Sequence, residues 1–243
     1  VQASTLAAAE ALCRQGLRTC VLNFASAKNP GGGFLRGANA QEESLARSSG
    51  LYACLTRSEV QAYYSDNQAD GSCVYTDHMI MSSSVPVFRR DSGAPLEAPY
   101  LVSILTAPAP NMGVASKRPE AGGLQAIRDV RRRRMGRALA FMADGGFDAV
   151  VLGAWGCGVF GNSPQEVAGE FRELLCAEFR GAFPRVVFAI CDAPTHAVFE
   201  SAFSAAAPPR SPPPSVGTPR EVEPRRKATR SGRAGRGGEK SSR

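Results

Sequence analysis

Two adjacent carboxyl side chains, Glu42 and Glu43, follow closely on a run of three glycines, Gly31, Gly32 and Gly33. Glycine lacks a Cβ, so its backbone can approach an anion and direct amide hydrogens at phosphate oxygens. Carboxyl groups a few residues later bring general acid–base chemistry within reach of whatever the loop binds. The alternative is a tight turn before a helix whose acidic first turn complements the helix dipole. This motif alone leaves both interpretations open.

A second glycine-rich segment, residues 153–162, follows the apolar strand candidate Ala149–Leu152. Ser163 as a cap and Pro164 as the first helical residue predict that a helix starts directly after it. A helix N-terminus has unpaired amides and a dipole that favour an anion. Two glycine-rich loops, each between a strand and a helix, therefore indicate two contacts with one extended anionic ligand such as a diphosphate.

The segment from Val21 to Gly33, with Gln41-Glu42-Glu43 after a seven-residue spacer, resembles the microbial-type poly(ADP-ribose) glycohydrolases. The signature of that family is three glycines, a short spacer and then Gln-Glu-Glu. The loop 153–162 resembles the family's second phosphate loop, and the stretches 84–89 and 186–190 also fit. The resemblance spans about residues 4–204 and implies a macrodomain-like, three-layer α/β/α sandwich with a mixed central sheet.

The resemblance also implies a reaction, the hydrolysis of ribose–ribose O-glycosidic bonds in poly(ADP-ribose) with release of ADP-ribose. Glu43 would be the catalytic acid and base, and Glu42 would position the ribose through its hydroxyls. Nearby phosphates and partial burial both raise a carboxyl pKa, which favours a proton-donating form. The expected substrate-binding residues are Gly31, Gly32, Gly33, Gln41, Asn29 and Asn39 in the first segment, and Gly156, Cys157, Gly158, Val159, Phe160 and Gly161 in the second.

Other functions remain open at this stage. An ADP-ribose-binding reader of modified proteins, with little or no hydrolysis, is one alternative, although the intact Gln41-Glu42-Glu43 favours the enzyme. A basic nucleic-acid-binding protein is another. Phe160 could equally pack on the ligand or anchor its loop, and Trp155 is expected to pack beneath that loop. No metal site and no cofactor are expected.

The candidate loops need a sheet to position them. Apolar runs at Thr19–Phe24, Tyr100–Thr106, Ala149–Leu152 and Arg185–Ile190 predict strands, and 76–82 and 85–89 predict two more. Helical patterns cover 5–15, 41–55, 124–143, 165–179 and 195–203. This alternation predicts a largely parallel or mixed sheet with helices on both faces. Ligands bind such sheets beyond the carboxyl ends of the strands, where both glycine loops fall.

Charge divides the chain into two parts. The net charge is +7, and residues 208–243 account for all of it, with ten Lys/Arg against three Asp/Glu. We expect a domain over 1–206, N-terminally truncated since Val1 is not Met, and a disordered basic tail over 207–243. That tail is a solvated extension, or serves nuclear import or weak polyanion contact. The arginine run 131–134 is expected to form a solvated helix surface.

Composition also restricts the cellular setting. Seven cysteines without a Cys-x-x-Cys pair favour a reducing compartment and no zinc site. No segment resembles a signal peptide, and no apolar run is long enough to span a bilayer. We therefore expect an intracellular protein, cytoplasmic or nuclear and not secreted. It is expected to be a monomer with no membrane partner, acting on poly(ADP-ribose) or ADP-ribosylated proteins.

Overall fold

A computed structural model describes residues 1–204 of the chain, so the expected tail and its boundary lie outside the described residues. The helices are α1 (Thr5–Cys13), α2 (Gln41–Ser48), α3 (Leu51–Leu55), α4 (Gln61–Ala69), α5 (Met112–Ala115), α6 (Gly123–Asp144), α7 (Pro164–Cys176) and α8 (Ala193–Ser204). The strands are β1 (Thr19–Phe24), β2 (Ile80–Arg89), β3 (Pro95–Ala107), β4 (Ala149–Leu152) and β5 (Arg185–Phe188). Within 1–204, no helix has the length and apolar character that crossing a bilayer requires.

These strands form one mixed sheet in the order β2-β3-β1-β4-β5. Strands β3, β1, β4 and β5 run parallel, and β2 pairs antiparallel with β3. In the central register, Val21 of β1 lies opposite Ile104 of β3 on one side and Val151 of β4 on the other. Both β1 and β4 are buried almost throughout, as strands covered on two faces must be.

Helices cover the sheet on two sides, and the alternation of side chains along β1 shows how. Val21 belongs to the core beneath α1–α4, whereas Cys20 and Leu22 belong to the core beneath α6–α8. Successive side chains of a strand point to opposite faces, so a continuous apolar run supplies both cores. The expected three-layer α/β/α sandwich with a mixed sheet is confirmed.

The single helix predicted over 41–55 is wrong, because α2 ends at Ser48 and α3 starts at Leu51. Ser49 adopts an extended conformation and forms an isolated β-bridge with Val87 of β2. The N–H of Gly50 donates to the carbonyl of Pro86 at 2.9 Å. Hydrogen bonds to the sheet edge thus replace helical ones at this point.

Four strand predictions also need correction. The segments 76–82 and 85–89 form one strand, β2, which starts only at Ile80 and contains an irregularity between Ser82 and Val85. Strand β3 starts at Pro95, before the expected Tyr100, because it pairs with β2 as a hairpin. Strand β5 ends at Phe188 rather than at residue 190. Sheet pairing decides all three boundaries, and local composition does not report it.

The arginine run of α6 does not form the solvated surface that we expected. Arg131 and Arg134, three residues apart on one helix face, have no exposed side-chain surface, whereas the arginines beside them are partly exposed. Arg131 pairs with Glu166 and Glu170 of α7, and Arg134 pairs with Asp77. A guanidinium is retained in a protein interior when carboxylates and hydrogen bonds compensate it.

Candidate active site

The carboxyl ends of the parallel strands β3, β1 and β4 meet at one edge of the sheet. Strand β1 ends at Phe24 and leads into the segment with the first three glycines, and the neighbouring β4 ends at Leu152 and leads into the second glycine loop. Both loops therefore start from adjacent strands at the same edge. This is the position at which open α/β sheets bind ligands.

A cavity of about 360 Å³ lies between the two segments. Its lining includes Glu42 and Glu43 on one side and Gly156, Gly158, Val159 and Phe160 on the other, together with Phe24–Ser26, Ala40, Gln41, Ala109, Ala154 and Trp155. The carboxyl pair and the second loop thus face one space. An adjoining cavity of about 760 Å³ shares part of this wall and adds Asn39, Cys157, Asp91, Asp192 and Thr195. Together they provide a long cleft suited to an extended ligand.

Glu42 is almost completely buried, with 3% of its surface exposed. One carboxyl oxygen, Oε2, accepts from the N–H of Ser26 at 2.6 Å, and Oε1 lies 3.3 Å from Nδ2 of Asn23. Burial raises the pKa of Glu42 to about 8, despite the N–H of Ser26, which lowers it, and with a smaller increase from Glu43. Burial thus favours the protonated form of this carboxyl.

Glu43 is held by backbone donors on both sides. Its Oε1 accepts from the N–H of Gly33 at 2.9 Å, and its Oε2 accepts from the N–H of Ala40 at 3.1 Å. Ala40 is the residue that caps α2, and Glu43 is the third residue of that helix. The carboxyl thus satisfies an otherwise unpaired donor at the helix start, as a capping Glu does. The same geometry therefore fits both a helix-capping role and a catalytic role for Glu43.

The three glycines do not line the smaller cavity: Gly32 lies against the two carboxyls, and Gly31 lies against the rings of Phe34 and Tyr52. Gly32 has φ +61°, and a Cβ there would lie 2.3 Å from Oε1 of Glu43 and 3.1 Å from Oε2 of Glu42. A Cβ on Gly33 would lie 2.8 Å from that of Ala38. Gly32 is therefore required by the close approach of the carboxyl oxygens, whereas Gly33 is required by the close approach of Ala38 within the loop.

Gln41 joins the start of α2 to the end of β1. Its Oε1 accepts from the N–H of Phe24 at 2.9 Å, and its Nε2 donates to the carbonyl of Leu22 at 2.8 Å and to Oγ1 of Thr5 at 3.1 Å. The side-chain amide of Gln41 thus bonds backbone groups of β1 in the way that the backbone of a neighbouring strand would. It lines both cavities, and its expected contact with substrate stays a prediction.

Asn29 and Asn39 occupy exposed positions of the first loop. The carbonyl of Asn29 accepts from the N–H of Gly32 at 3.0 Å, which is a turn contact. Oδ1 of Asn39 accepts from Nη2 of Arg47 at 2.6 Å, and Asn39 lines the larger cavity. Contact with a ligand in the larger cavity is thus open to Asn39, while Asn29 contributes to the turn.

The second loop presents three consecutive backbone donors. Within residues 1–204, the N–H groups of Gly158, Val159 and Phe160 donate to no protein acceptor, whereas that of Gly161 donates to the carbonyl of Gly158 at 2.9 Å. Successive amides in such a turn form a concavity that binds anions. The Phe160 ring is half-buried, with its centroid 6.0 Å from that of Tyr75. It anchors the loop while still lining the smaller cavity.

Trp155 and Cys157 have contrasting surroundings in this loop. Trp155 packs beneath the loop as expected, with Nε1 donating to the carbonyl of Ala107 at 3.0 Å. Burial raises the pKa of Cys157 to about 12. A thiol that stays protonated is a poor nucleophile, so Cys157 serves as a small wall residue of the larger cavity.

Residues 1–204 contain no group of three or more His, Cys, Asp or Glu arranged to hold an ion. The exposed His78 lies 3.4 Å from Asp66 and away from the cleft residues.

Sequence reasoning missed two residues that support Glu42, namely Asn23 and Ser26. Asn23 is fully buried, and its Nδ2 lies 3.2 Å from Oγ1 of Thr106 as well as near Glu42. A polar residue inside the apolar run of β1 was the available signal, because a buried amide requires a polar partner. Ser26 contributes through its backbone N–H, which no side-chain pattern could have indicated.

Comparison with known proteins gives the family. The model of the family described as "Microbial-type PARG, catalytic domain" matches residues 1–90. Poly(ADP-ribose) glycohydrolase from Deinococcus radiodurans in complex with ADP-ribose is 48% identical, with 85% of this chain and 84% of that chain covered and a TM-score of 0.80.

The enzyme from Thermomonospora curvata bound to the inhibitor ADP-HPD is 47% identical, with 83% of this chain and 77% of that chain covered and a TM-score of 0.77. A search of curated protein sequences found no match. The identity and coverage of the solved structures are high enough to assign a family directly: the chain belongs to the microbial-type poly(ADP-ribose) glycohydrolases.

Proposed function

We propose that this protein hydrolyses the ribose–ribose O-glycosidic bonds of poly(ADP-ribose) and releases ADP-ribose. The observation that carries the proposal is the single cavity lined by Glu42, Glu43 and the second glycine loop. Family membership and the ADP-ribose and ADP-HPD complexes of related glycohydrolases support the same activity. A reader module would need the loop but would have no use for two converging carboxyls.

The second loop would bind the diphosphate through the N–H groups of residues 158–160 and so place the acetal linkage beside the carboxyl pair. Glycoside cleavage passes through an oxocarbenium-like state, in which the leaving oxygen needs a proton and the attacking water must then lose one. Glu43 donates the first proton and accepts the second. The buried Glu42 holds the ribose through hydrogen bonds to its hydroxyls.

The Glu43→Gln variant tests the catalytic role. It keeps the shape of the side chain and an acceptor for the N–H of Gly33, so ADP-ribose binding measured by calorimetry should persist. Release of free ADP-ribose from labelled polymer should fall by about 10²–10⁴-fold, the usual worth of a general acid–base group. Glu97→Gln on the exposed part of β3 is the matched control and should hydrolyse polymer as the wild type does. Wild-type turnover by Glu43→Gln would refute the assignment.

A reader function is the second candidate, and the bonding of Glu43 is compatible with it. Both oxygens of Glu43 already accept backbone N–H groups, which a purely structural capping carboxyl would also do. The same polymer assay separates the two functions. A wild-type protein that binds ADP-ribose and releases none from polymer would be a reader.

The remaining expectations extend this proposal. We place the hydrolytic domain in residues 1–206 of a monomeric, intracellular protein, cytoplasmic or nuclear, and assign weak polyanion contact to the basic segment 207–243. The support is the distribution of charge and the cysteine content. Deleting 207–243 should leave polymer hydrolysis unchanged and should weaken non-specific retention by DNA or RNA. Loss of hydrolysis on deletion would overturn the domain boundary.

A further inference from the structure

Arg131 of α6 lies in a buried hydrogen-bond network that reaches the second glycine loop. Its Nε and Nη2 donate to the two oxygens of Glu170 at 2.9 and 2.6 Å, and Nη2 also donates to Glu166 at 2.7 Å. The side chain has no exposed surface. These carboxylates compensate the buried positive charge, so Nη1 is left to bond a neutral partner.

That partner is Asn162, the last residue of the second loop, whose Oδ1 lies 3.1 Å from Nη1 of Arg131. Nδ2 of Asn162 donates to the carbonyls of Gly156 at 3.0 Å and Pro110 at 2.9 Å, and its backbone N–H also donates to Gly156. These bonds therefore join the two ends of the segment 156–162 to each other and fix them to Pro110, which lies just after β3. Asn162 is 2% exposed.

The chemistry of the partners fixes the orientation of the Asn162 amide. A guanidinium can only donate, so the atom that faces Arg131 must be the oxygen Oδ1. The NH₂ group then faces two carbonyls, which can only accept. Rotation of the amide by half a turn would place Oδ1 against both carbonyl oxygens and lose all these bonds. Arg131 thus selects the one orientation that closes the loop.

We infer that Arg131 is a positioning residue that, through Asn162, fixes the second glycine loop for the diphosphate of ADP-ribose. The inference rests on the proposed function, since it takes the free N–H groups of residues 158–160 as the diphosphate contact. Arg131 acts on the loop and not on the ligand. Loss of its contact should therefore weaken ligand binding even where the fold is intact.

The neighbouring buried arginine holds the loop from a second direction. Arg134 donates to the carbonyls of Val74, Tyr75 and Pro108 at 3.0, 2.7 and 2.9 Å. Tyr75 has φ +67°, a conformation that needs outside support in a non-glycine residue, and its ring meets that of Phe160. The same face of α6 thus supports both the base of the loop and the ring against which Phe160 packs.

Two variants test the inference by calorimetric titration with ADP-ribose. Arg131→Lys keeps a positive charge for Glu166 and Glu170. Its ammonium lacks the planar set of donors with which the guanidinium bonds both carboxylates and Asn162 at once. Asn162→Asp keeps an acceptor for Arg131 but turns an oxygen towards the carbonyls of Gly156 and Pro110. Each should raise the Kd for ADP-ribose, and the KM for polymer, by about tenfold, which corresponds to the loss of about one net hydrogen bond that positions the loop.

Controls separate positioning from stability. Arg132→Lys alters the adjacent, partly exposed arginine, which pairs with Glu173, and it should bind ADP-ribose as the wild type does. A purely structural role would lower the Tm of Arg131→Lys and leave its Kd unchanged well below that Tm. Both test variants interrupt the same series of hydrogen bonds, which runs from Arg131 through Asn162 to Gly156 and Pro110. The double variant should therefore bind ADP-ribose no more weakly than the weaker-binding single variant.

Wild-type affinity in both test variants, or additive losses in the double variant, would overturn the inference. If Arg131→Lys does not fold, Asn162→Asp decides the matter, because it leaves the buried ion pairs in place. Failure of the proposed function has a different signature. A wild-type chain that binds ADP-ribose without cleaving polymer refutes hydrolysis alone, and one that does not bind ADP-ribose refutes both.

Discussion

Replacing Gly32 with alanine should disable the carboxyl pair while the protein stays folded. A Cβ at this position would lie 2.3 Å from Oε1 of Glu43, a separation that real Cβ atoms do not show. Restoring an ordinary contact requires a shift of about 1 Å by the carboxyl or the loop, and a displacement of that size costs about 10²-fold in rate. We therefore expect kcat/KM for polymer to fall by about 100-fold.

The stability cost of Gly32→Ala should be modest by comparison. An alanine at φ +61° costs about 1–2 kcal/mol in backbone strain, to which displacement of the Glu43 hydrogen bonds adds. Gly37→Ala is the matched control, since Gly37 has φ +81° in the same loop and no atom within 4 Å of a built Cβ. It should lose about 1–2 kcal/mol in urea unfolding and keep its kcat/KM.

Polymer hydrolysis and urea unfolding of both variants give a direct comparison. If Gly32→Ala hydrolyses polymer at the wild-type rate, the carboxyls do not need the position that Gly32 permits. If Gly37→Ala loses as much activity as Gly32→Ala, backbone strain alone accounts for the loss and the contact with Glu43 has no special role.

Three further predictions concern stability. Because burial raises the pKa of Glu42 from 4.5 to about 8, its contribution to the free energy of unfolding is full below pH 4.5 and is lost as the pH rises towards 8, by at most about 1.4 kcal/mol per pH unit. Glu42→Gln should remove this pH dependence in urea unfolding between about pH 5 and 8, and the same pH dependence in the variant and the wild type would contradict the burial effect. Trp155→Phe removes the donor to the carbonyl of Ala107 and should cost about 1–3 kcal/mol, whereas wild-type stability would show that the bond contributes nothing. Asp77→Ala leaves the buried Arg134 without its carboxylate and should cost about 3–5 kcal/mol in thermal or urea unfolding; a loss below about 1 kcal/mol, as for exposed pairs, would contradict the pairing.

Local patterns were sufficient to predict the site's framework. Strands β1 and β4 are mostly apolar runs; β4 is followed directly by Gly153, and β1 leads through six residues to Gly31, so both could be predicted as strands that enter glycine-rich loops. The cap at Ser163 was also explicit, since its side chain accepts from the N–H of Glu166. Parallel pairing then placed both loops at one sheet edge without further information.

Contacts between distant segments could not be predicted in the same way. The break between α2 and α3 depends on the pairing of Ser49 and Gly50 with β2, which composition does not encode. The burial of Arg131 depends on Glu166 and Glu170, which lie more than thirty residues away in sequence. A run of arginines viewed alone gives no sign that two of them face inward.

The two glycine-rich loops use the absence of a Cβ in different ways. In the first, the space is taken by carboxyl oxygens, and the N–H of Gly33 is consumed by Glu43. In the second, the N–H groups of residues 158–160 are left for a ligand. The geometry thus gives the two loops different roles beside a ligand, and the contact of Gly31, Gly32 and Gly33 with substrate stays a prediction.

The spacing of the first motif follows from this division. Residues 34–40 include one turn of 3₁₀ helix and return the chain, so that the third residue of α2 meets the N–H of Gly33. Within α2, successive side chains are turned by about 100° around the helix axis, so a carboxyl one helix position away from Glu43 would point away from the N–H of Gly33. The motif is thus a geometric unit, in which the spacer returns α2 to the glycine run and the helix position of each Glu sets which backbone N–H its carboxyl meets.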